Sequence, residues 1–309
     1  MSESLSRPAP AVEAALEGGD TSAPRSQLGD AWHDLRHSAL FWVSAVIIGA
    51  VLAIAAFPNA FADAAKTSAL TGGCDFADFL QSPSEAHWFG TDQLGCDIYS
   101  FTIFGARPSI AVGLIAALLT TVLGTVVGVI SGYYGGIVDS LLSRLVDIFF
   151  GLPLLLGGIV ILSALTFPSI WGVVFVLVIL GWVSAARLVR GTTIEAKNQD
   201  FVLAARALGA TNSRIMWRHV LPNAVGPSIV VAVISLGGYI GAEATFSYLG
   251  LGLKDPDFSW GTMIAAAQSS FFQAPWTLLF PAGFLTVTVL AVILMGEAVR
   301  DGLDPKSRA

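Results

Sequence analysis

Residues 148–186 read IFFGLPLLLGGIVILSALTFPSIWGVVFVLVILGWVSAA, 39 positions without an Asp, Glu, Lys or Arg. An α-helix rises 1.5 Å per residue, so the hydrocarbon core of a bilayer takes about 20 apolar residues per crossing. This run is too long for one crossing and long enough for two, and Thr166, Pro168 and Ser169 mark a tight turn within it. Lipid supplies no water to backbone N–H and C=O groups, and a helix closes those bonds within one segment. The stretch therefore reads as a pair of transmembrane helices.

Further charge-free runs extend from Ser38 to Ala62, Pro108 to Ile137 and Phe258 to Gly296. The whole chain is 54% hydrophobic and only 12% charged, against roughly 25% charged in an average soluble domain. The expectation is an all-α integral membrane bundle of six helices near 38–57, 109–131, 144–165, 168–186, 224–247 and 277–297. An even count places both termini on one side. Loops on that side carry thirteen basic residues: Arg7, Arg25, Arg36, Arg144, Arg187, Arg190, Lys197, Arg206, Arg214, Arg218, Arg300, Lys306 and Arg308. The other side has Lys66, Arg107 and Lys254. The positive-inside rule makes the first side cytoplasmic.

The N-terminal 1–37 then reads as a disordered cytoplasmic tail, with too little apolar material to bury. A cleaved signal peptide is disfavoured, because the first apolar run follows a long, net acidic lead. Residues 58–108 form one extracytoplasmic loop and 248–276 a second, the core of five helices runs 109–297, and 298–309 is a cytoplasmic tail. The net charge of −6 identifies no partner, and nucleic-acid binding has no support.

One long cytoplasmic loop, 187–222, remains, and from Asp200 to Asn223 it reads DFVLAARALGATNSRIMWRHVLPN. Phe201, Ala204, Ala205 and Leu208 fall on one face of a short helix at i, i+3, i+4, i+7 spacing. Gly209 is placed to end it in a left-handed cap, Thr211 to cap a second helix, and Pro222 where the chain leaves for the next span. Two short helices around a glycine make a compact protrusion.

The Ala204-Ala205, Gly209, Leu221-Pro222 pattern resembles the EAA loop of ATP-binding-cassette importer permeases. The ending His219-Val220-Leu221-Pro222-Asn223 is similar to the dipeptide/oligopeptide/nickel branch. FGTDQLGCD at 89–97, GARPSI at 105–110, SYLGLGLKDPDFSWGTM at 247–263 and GEAVRDGLDP at 296–305 resemble other segments of that branch in the same order. The resemblance implies a type I permease bundle that pairs with a second related permease as a heterodimer. It implies two cytoplasmic ATP-binding subunits, one docked on the EAA loop, an extracytoplasmic solute-binding protein, and residence in a prokaryotic cell membrane. Peptides lead as substrate, with nickel or another small solute as the alternative, and no cofactor is implied. Leu203 stands where the family usually has glutamate, and Cys96 and Phe101 where it commonly has arginine. A plain cytoplasmic hairpin between spans is the competing reading of 187–222.

Cys74 and Cys96 both fall in the first external loop, which favours a disulfide over two buried thiols. With His87 nearby they still make no defined metal set, and no metal is expected. Asp147 stands one turn from Arg144, so the two are expected to pair. Glu243, in the glycine-rich GGYIGAEATFSYLG, is a candidate for the translocation path or the permease interface, with a structural role as the plainer reading. Gly124, Gly128 and Gly132 form a GxxxGxxxG face, read as close packing within the subunit in preference to a dimer interface.

Other classes fare poorly. No G-x-x-x-x-G-K-[ST] loop occurs, so the chain is not expected to hydrolyse ATP itself. No internal repeat supports an ion-driven secondary transporter. His33, His37, His87 and His219 are scattered, and no cluster has catalytic spacing.

Overall fold

The computed structural model describes residues 32, 33, 35–67, 73–165, 169–254 and 257–303. Most of the expected N-terminal tail, the turn residues Thr166 and Pro168, and residues 304–309 lie outside the described residues. Within them the chain is helical, and the one strand-like pairing is an isolated bridge between Thr91 and Asp97.

Helix α1, Ala39–Ala56, opens on Ser38, whose hydroxyl accepts from the Phe41 amide. Helix α2 is Ile98–Tyr134, 37 residues, or about 55 Å at 1.5 Å per residue. It exceeds the hydrocarbon core by a wide margin, so part of it stands clear of lipid. Its start corrects the expected boundary at 109. Asp97 caps it, accepting from the Ser100 amide at 3.0 Å and the Ser100 hydroxyl at 2.7 Å, and Pro108 is carried inside the helix. Proline removes one helical donor. The cap ten residues upstream outweighs that loss.

The third passage is not one continuous helix. Helix α3, Gly136–Phe150, and helix α4, Leu154–Ala164, meet at a bend of 82° across Gly151, Leu152 and Pro153. Helix α5, Ile170–Gly181, runs almost without interruption into α6, Val183–Ala196, so the fourth passage reaches ten residues beyond the expected 186. A glycine-centred elbow follows, made of α7 (Asp200–Ala207), α8 (Asn212–Ile215), a π turn Met216–Val220 and α9 (Leu221–Ala224). Helix α10, Gly226–Tyr248, leads to the short α11, Trp260–Ala267, and then to α12, Trp276–Leu303. Among the described residues, five helical stretches are long and apolar enough to cross a membrane, and counting the bent pair as one passage gives six.

Two of the buried clusters hold the membrane-spanning helices together. One is built from Val112 and Ala116 of α2, Val173, Val176 and Leu177 of α5, and Tyr239 and Phe246 of α10. The other joins Val51 and Ala55 of α1, Ala106 and Ile110 of α2, Ile240 of α10 and Trp260 of α11. Meanwhile Trp42, Val46, Leu118, Val122, Leu141, Ile148, Val160 and Leu290 are exposed. A water-soluble monomer seldom shows so much apolar surface, and a bundle bathed in lipid does.

The expected Asp147–Arg144 pair does not form. Asp147 instead accepts from Arg187 Nη2 at 2.8 Å, and that guanidinium lies 3.7 Å from the Phe150 ring centroid. Helix α3 packs against α6, and a cation on the facing helix reaches a carboxylate better than one on its own helix.

Candidate functional site

The elbow is assembled from its backbone upward. Gly209 has φ +80°, a conformation that a residue with a Cβ adopts only under strain. Its amide donates to Arg206 O at 3.0 Å and the Ala210 amide to Ala205 O at 3.1 Å. This is the paired pattern of a Schellman cap. Thr211 Oγ1 then accepts from the Arg214 amide and starts α8, as its sequence position suggests.

Pro222 behaves differently from expectation. The chain remains helical through it, because the i→i+5 turn before it, closed by the Leu221 amide on Met216 O, widens the helix where the proline ring needs room. The chain leaves for the next span at Gly226-Pro227 instead. Nothing in the local sequence signals a π turn.

One side of the elbow is fixed to the bundle. Val202, Ile215, Met216 and Val220 pack with Val129 and Tyr133 of α2 and Val189 and Ala196 of α6. Tyr133 donates its hydroxyl to Asn212 Oδ1 at 3.1 Å, and Thr192 Oγ1 donates to Ala224 O at 3.1 Å. The other side is bare. Leu208 is 88% exposed, Leu203 and Phe201 about half exposed, and Ala204 exposed, whereas Val202 is wholly buried. Of the remaining predicted members, Ala205, His219 and Leu221 are half-buried and Pro222 is exposed. The chain thus presents Phe201, Ala204 and Leu208 on one exposed face above a rigid base, with Leu203 exposed on another side of the same helix.

Gly124, Gly128 and Gly132 lie along the contact of α2 with α6. A Cβ at Gly124 would fall 2.6 Å from Trp182 O, at Gly128 2.6 Å from Ala186 O, and at Gly132 2.8 Å from Arg190 O. The two backbones touch here, within the subunit.

Glu243 has no exposed surface. Its Oε1 accepts from Ser247 Oγ at 2.7 Å, and the Ser109 and Ser259 hydroxyls stand at the same carboxylate. Ser247 Oγ also accepts from the Leu253 amide, and Ser109 Oγ from the Trp260 amide. The group knits α2, α10 and α11 together.

At the opposite end from the elbow, Cys74 and Cys96 are joined in a disulfide. His87 Nδ1 stands 3.1 Å from Asp97 Oδ1, Trp276 Nε1 donates to Thr91 O, and Phe89 stacks on Phe280 at 3.9 Å. Phe101, where arginine was the family habit, packs on the Phe258 ring at 4.7 Å. Burial pushes the Asp92 carboxyl above its ordinary value, although the Leu94 and Cys96 amides donate to it. Closing a loop of this size stabilises by about 3 kcal/mol in the chain-entropy account. Mass spectrometry of non-reduced digests is expected to find the 74 and 96 peptides linked. Quantitative alkylation of both thiols without reductant would show otherwise.

Comparison with known proteins assigns the chain. The family described as binding-protein-dependent transport system inner membrane component matches residues 124–309. The oligopeptide transport system permease protein of Bacillus subtilis (strain 168) is 38% identical over 96% of both chains. The dipeptide transport system permease protein of the same organism is 40% identical over 73% of this chain and 71% of its own. A glutathione transport system permease protein of Shigella flexneri serotype 5b (strain 8401) is 41% identical over 75% of this chain and 76% of its own. In fold, the MetNI methionine ABC transporter in inward-facing conformations superposes with a TM-score of 0.53 at 19% identity, covering 65% of this chain and 96% of that one. With a helical bundle, a bare elbow on its base and an oligopeptide permease matched almost end to end, the chain belongs to the binding-protein-dependent transport inner membrane family and is a permease subunit of an ATP-binding-cassette importer.

Proposed function

We propose that this permease passes dipeptides and oligopeptides, and that its 200–222 elbow is the seat of an ATP-binding subunit. The observation that carries the coupling role is the exposed apolar face of Phe201, Ala204 and Leu208, on an elbow whose inner side, Val202 included, is anchored to α2 and α6. Exposed apolar surface on a segment that also exposes Arg206, Arg214 and Arg218 marks an interaction site, and the fixed angle of the elbow suits it to a protein groove. Leucine in place of the family's glutamate at 203 removes one ion pair and leaves an apolar contact. The peptide assignment draws on what the relatives are named for: oligopeptides, dipeptides and glutathione.

In this reading the elbow end is cytoplasmic, as thirteen basic residues against three argue, and so are both termini. The disulfide-bearing end, about 58–97 and 249–275, faces the exterior and receives a solute-binding protein. A second, related permease completes the pathway as a heterodimer, above two ATP-binding subunits. The experiment is a crosslink from Leu208→Cys in membranes that take up peptide. Capture of the ATP-binding subunit is expected, and its failure at Leu208 and at neighbouring elbow positions would remove the coupling role.

A further inference from the structure

Three chain segments converge on one carboxylate below the bundle. Arg190 Nε and Nη2 of α6 donate to Asp139 Oδ1 and Oδ2 of α3 at 2.5 and 2.6 Å. The same carboxylate accepts from Ser131 of α2 at 2.5 Å and Ser143 of α3 at 3.2 Å. About two turns further on, at the C-cap of α6, Lys197 Nζ donates to Gly132 O at 2.6 Å, at the carbonyl end of α2. Toward the other end of α3, Arg187 holds Asp147. Helix α3 is therefore gripped by α6 at both ends.

Its continuation is not. Helix α4 rests on other neighbours: Gly157 lies against Leu180 of α5 and Gly158 against the Phe246 ring of α10. The two halves of the third passage thus belong to different parts of the bundle, and they meet at the 82° break. Helix α6 in turn passes into the elbow through three residues only. The amides of Lys197, Asn198 and Gln199 donate back to Thr193, Glu195 and Ala196, which leaves no slack before Asp200. An open cleft of about 480 Å³ is bordered by Ser131, Ser143, Arg187 and Arg190.

We propose that Asp139 and Arg190 are positioning residues of the transport cycle: they fasten the first half of the split third passage to the helix that carries the elbow, so that ATP-driven movement of the elbow swings α3 about Gly151–Pro153. The proposal rests on the reading that the elbow seats an ATP-binding subunit. An exposed ion pair contributes little to stability. This one is bidentate, half-buried and braced by two hydroxyls, so it fixes direction as well as distance.

The test uses the complete importer reconstituted in vesicles, with Leu208→Cys crosslinking to the ATP-binding subunit as a check on docking. For Asp139→Asn, ATP hydrolysis and the crosslink persist, while peptide uptake per ATP falls by about tenfold, within the usual range of coupling between sites. Arg190→Lys keeps the charge but loses the fork, and gives a smaller loss of the same ratio. Asp139→Arg combined with Arg190→Asp restores it. Unchanged uptake per ATP, or parallel loss of uptake, hydrolysis and protein amount without rescue by the reversed pair, overturns the proposal. Absence of the crosslink with Asp139 intact overturns the docking reading and this one with it.

Discussion

Gly128→Leu is expected to leave almost no stable transporter. A Cβ at 128 would stand 2.6 Å from Ala186 O and 2.9 Å from both Arg190 N and Val189 Cβ. Two of these three atoms are backbone of α6, which cannot rotate away as a side-chain tip can. Forcing extra methylenes into such a contact costs about 3 kcal/mol at the upper end of the usual range, a large part of a typical total of roughly 5–15 kcal/mol. Separation of α2 from α6 also pulls on Arg190 and Lys197, and hence on the base of the elbow. Gly128→Ala should lower the melting temperature of the purified complex by several degrees, since even one carbon must displace backbone. Gly191 is the internal control, because a Cβ there has nothing within 4 Å. Gly191→Ala gains helix propensity of about 1 kcal/mol and should not destabilise the protein. A Gly128→Leu complex that melted with the wild type would show that the two helices can part without consequence.

The parts of this fold that the sequence discloses are those set by local rules. Long charge-free runs mark the passages because lipid excludes charge. Gly209 marks the cap because one residue must adopt positive φ after a short amphipathic helix. What the sequence conceals depends on neighbours distant along the chain. Asp147 finds Arg187 forty residues away and not Arg144 three residues away, because α3 lies against α6. Glu243 shows no basic partner in its own stretch of sequence, and the serines that surround it come from α2, from the next turn of α10 and from just before α11. The third passage bends at Gly151–Pro153, inside what the sequence shows as one unbroken apolar run. Helix α2 starts at Asp97 because that cap is satisfied, and an Asp-x-x-Ser signal is easily overlooked when an Arg-Pro pair stands closer to the apolar run. Phe201, Ala204 and Leu208 were legible as one face, but only the packing of Val202 on the opposite side shows that face turned outward.

Gly209→Pro is expected to abolish peptide uptake while the protein still accumulates in the membrane. Proline holds φ near −65°, whereas residue 209 is at +80°, so the ring cannot occupy the native backbone. It also removes the amide that donates to Arg206 O, and it disfavours helical geometry at Leu208. Losing the cap frees α7 from α8, so the exposed face of Phe201, Ala204 and Leu208 no longer keeps a fixed angle to α6. Insertion is unaffected because each long apolar helix lies outside 200–224. Gly209→Ala separates conformation from bulk. Its methyl meets nothing within 4 Å, so the effect is a left-handed strain of roughly 1–2 kcal/mol, and the anchored inner face of the elbow can hold against that. Uptake should therefore survive in the alanine variant and vanish in the proline variant, at equal amounts of membrane-inserted protein measured by immunoblot. Equal uptake by both would mean that the angle of the elbow transmits nothing, and a loss of inserted protein in the proline variant would mean that residue 209 matters for assembly instead.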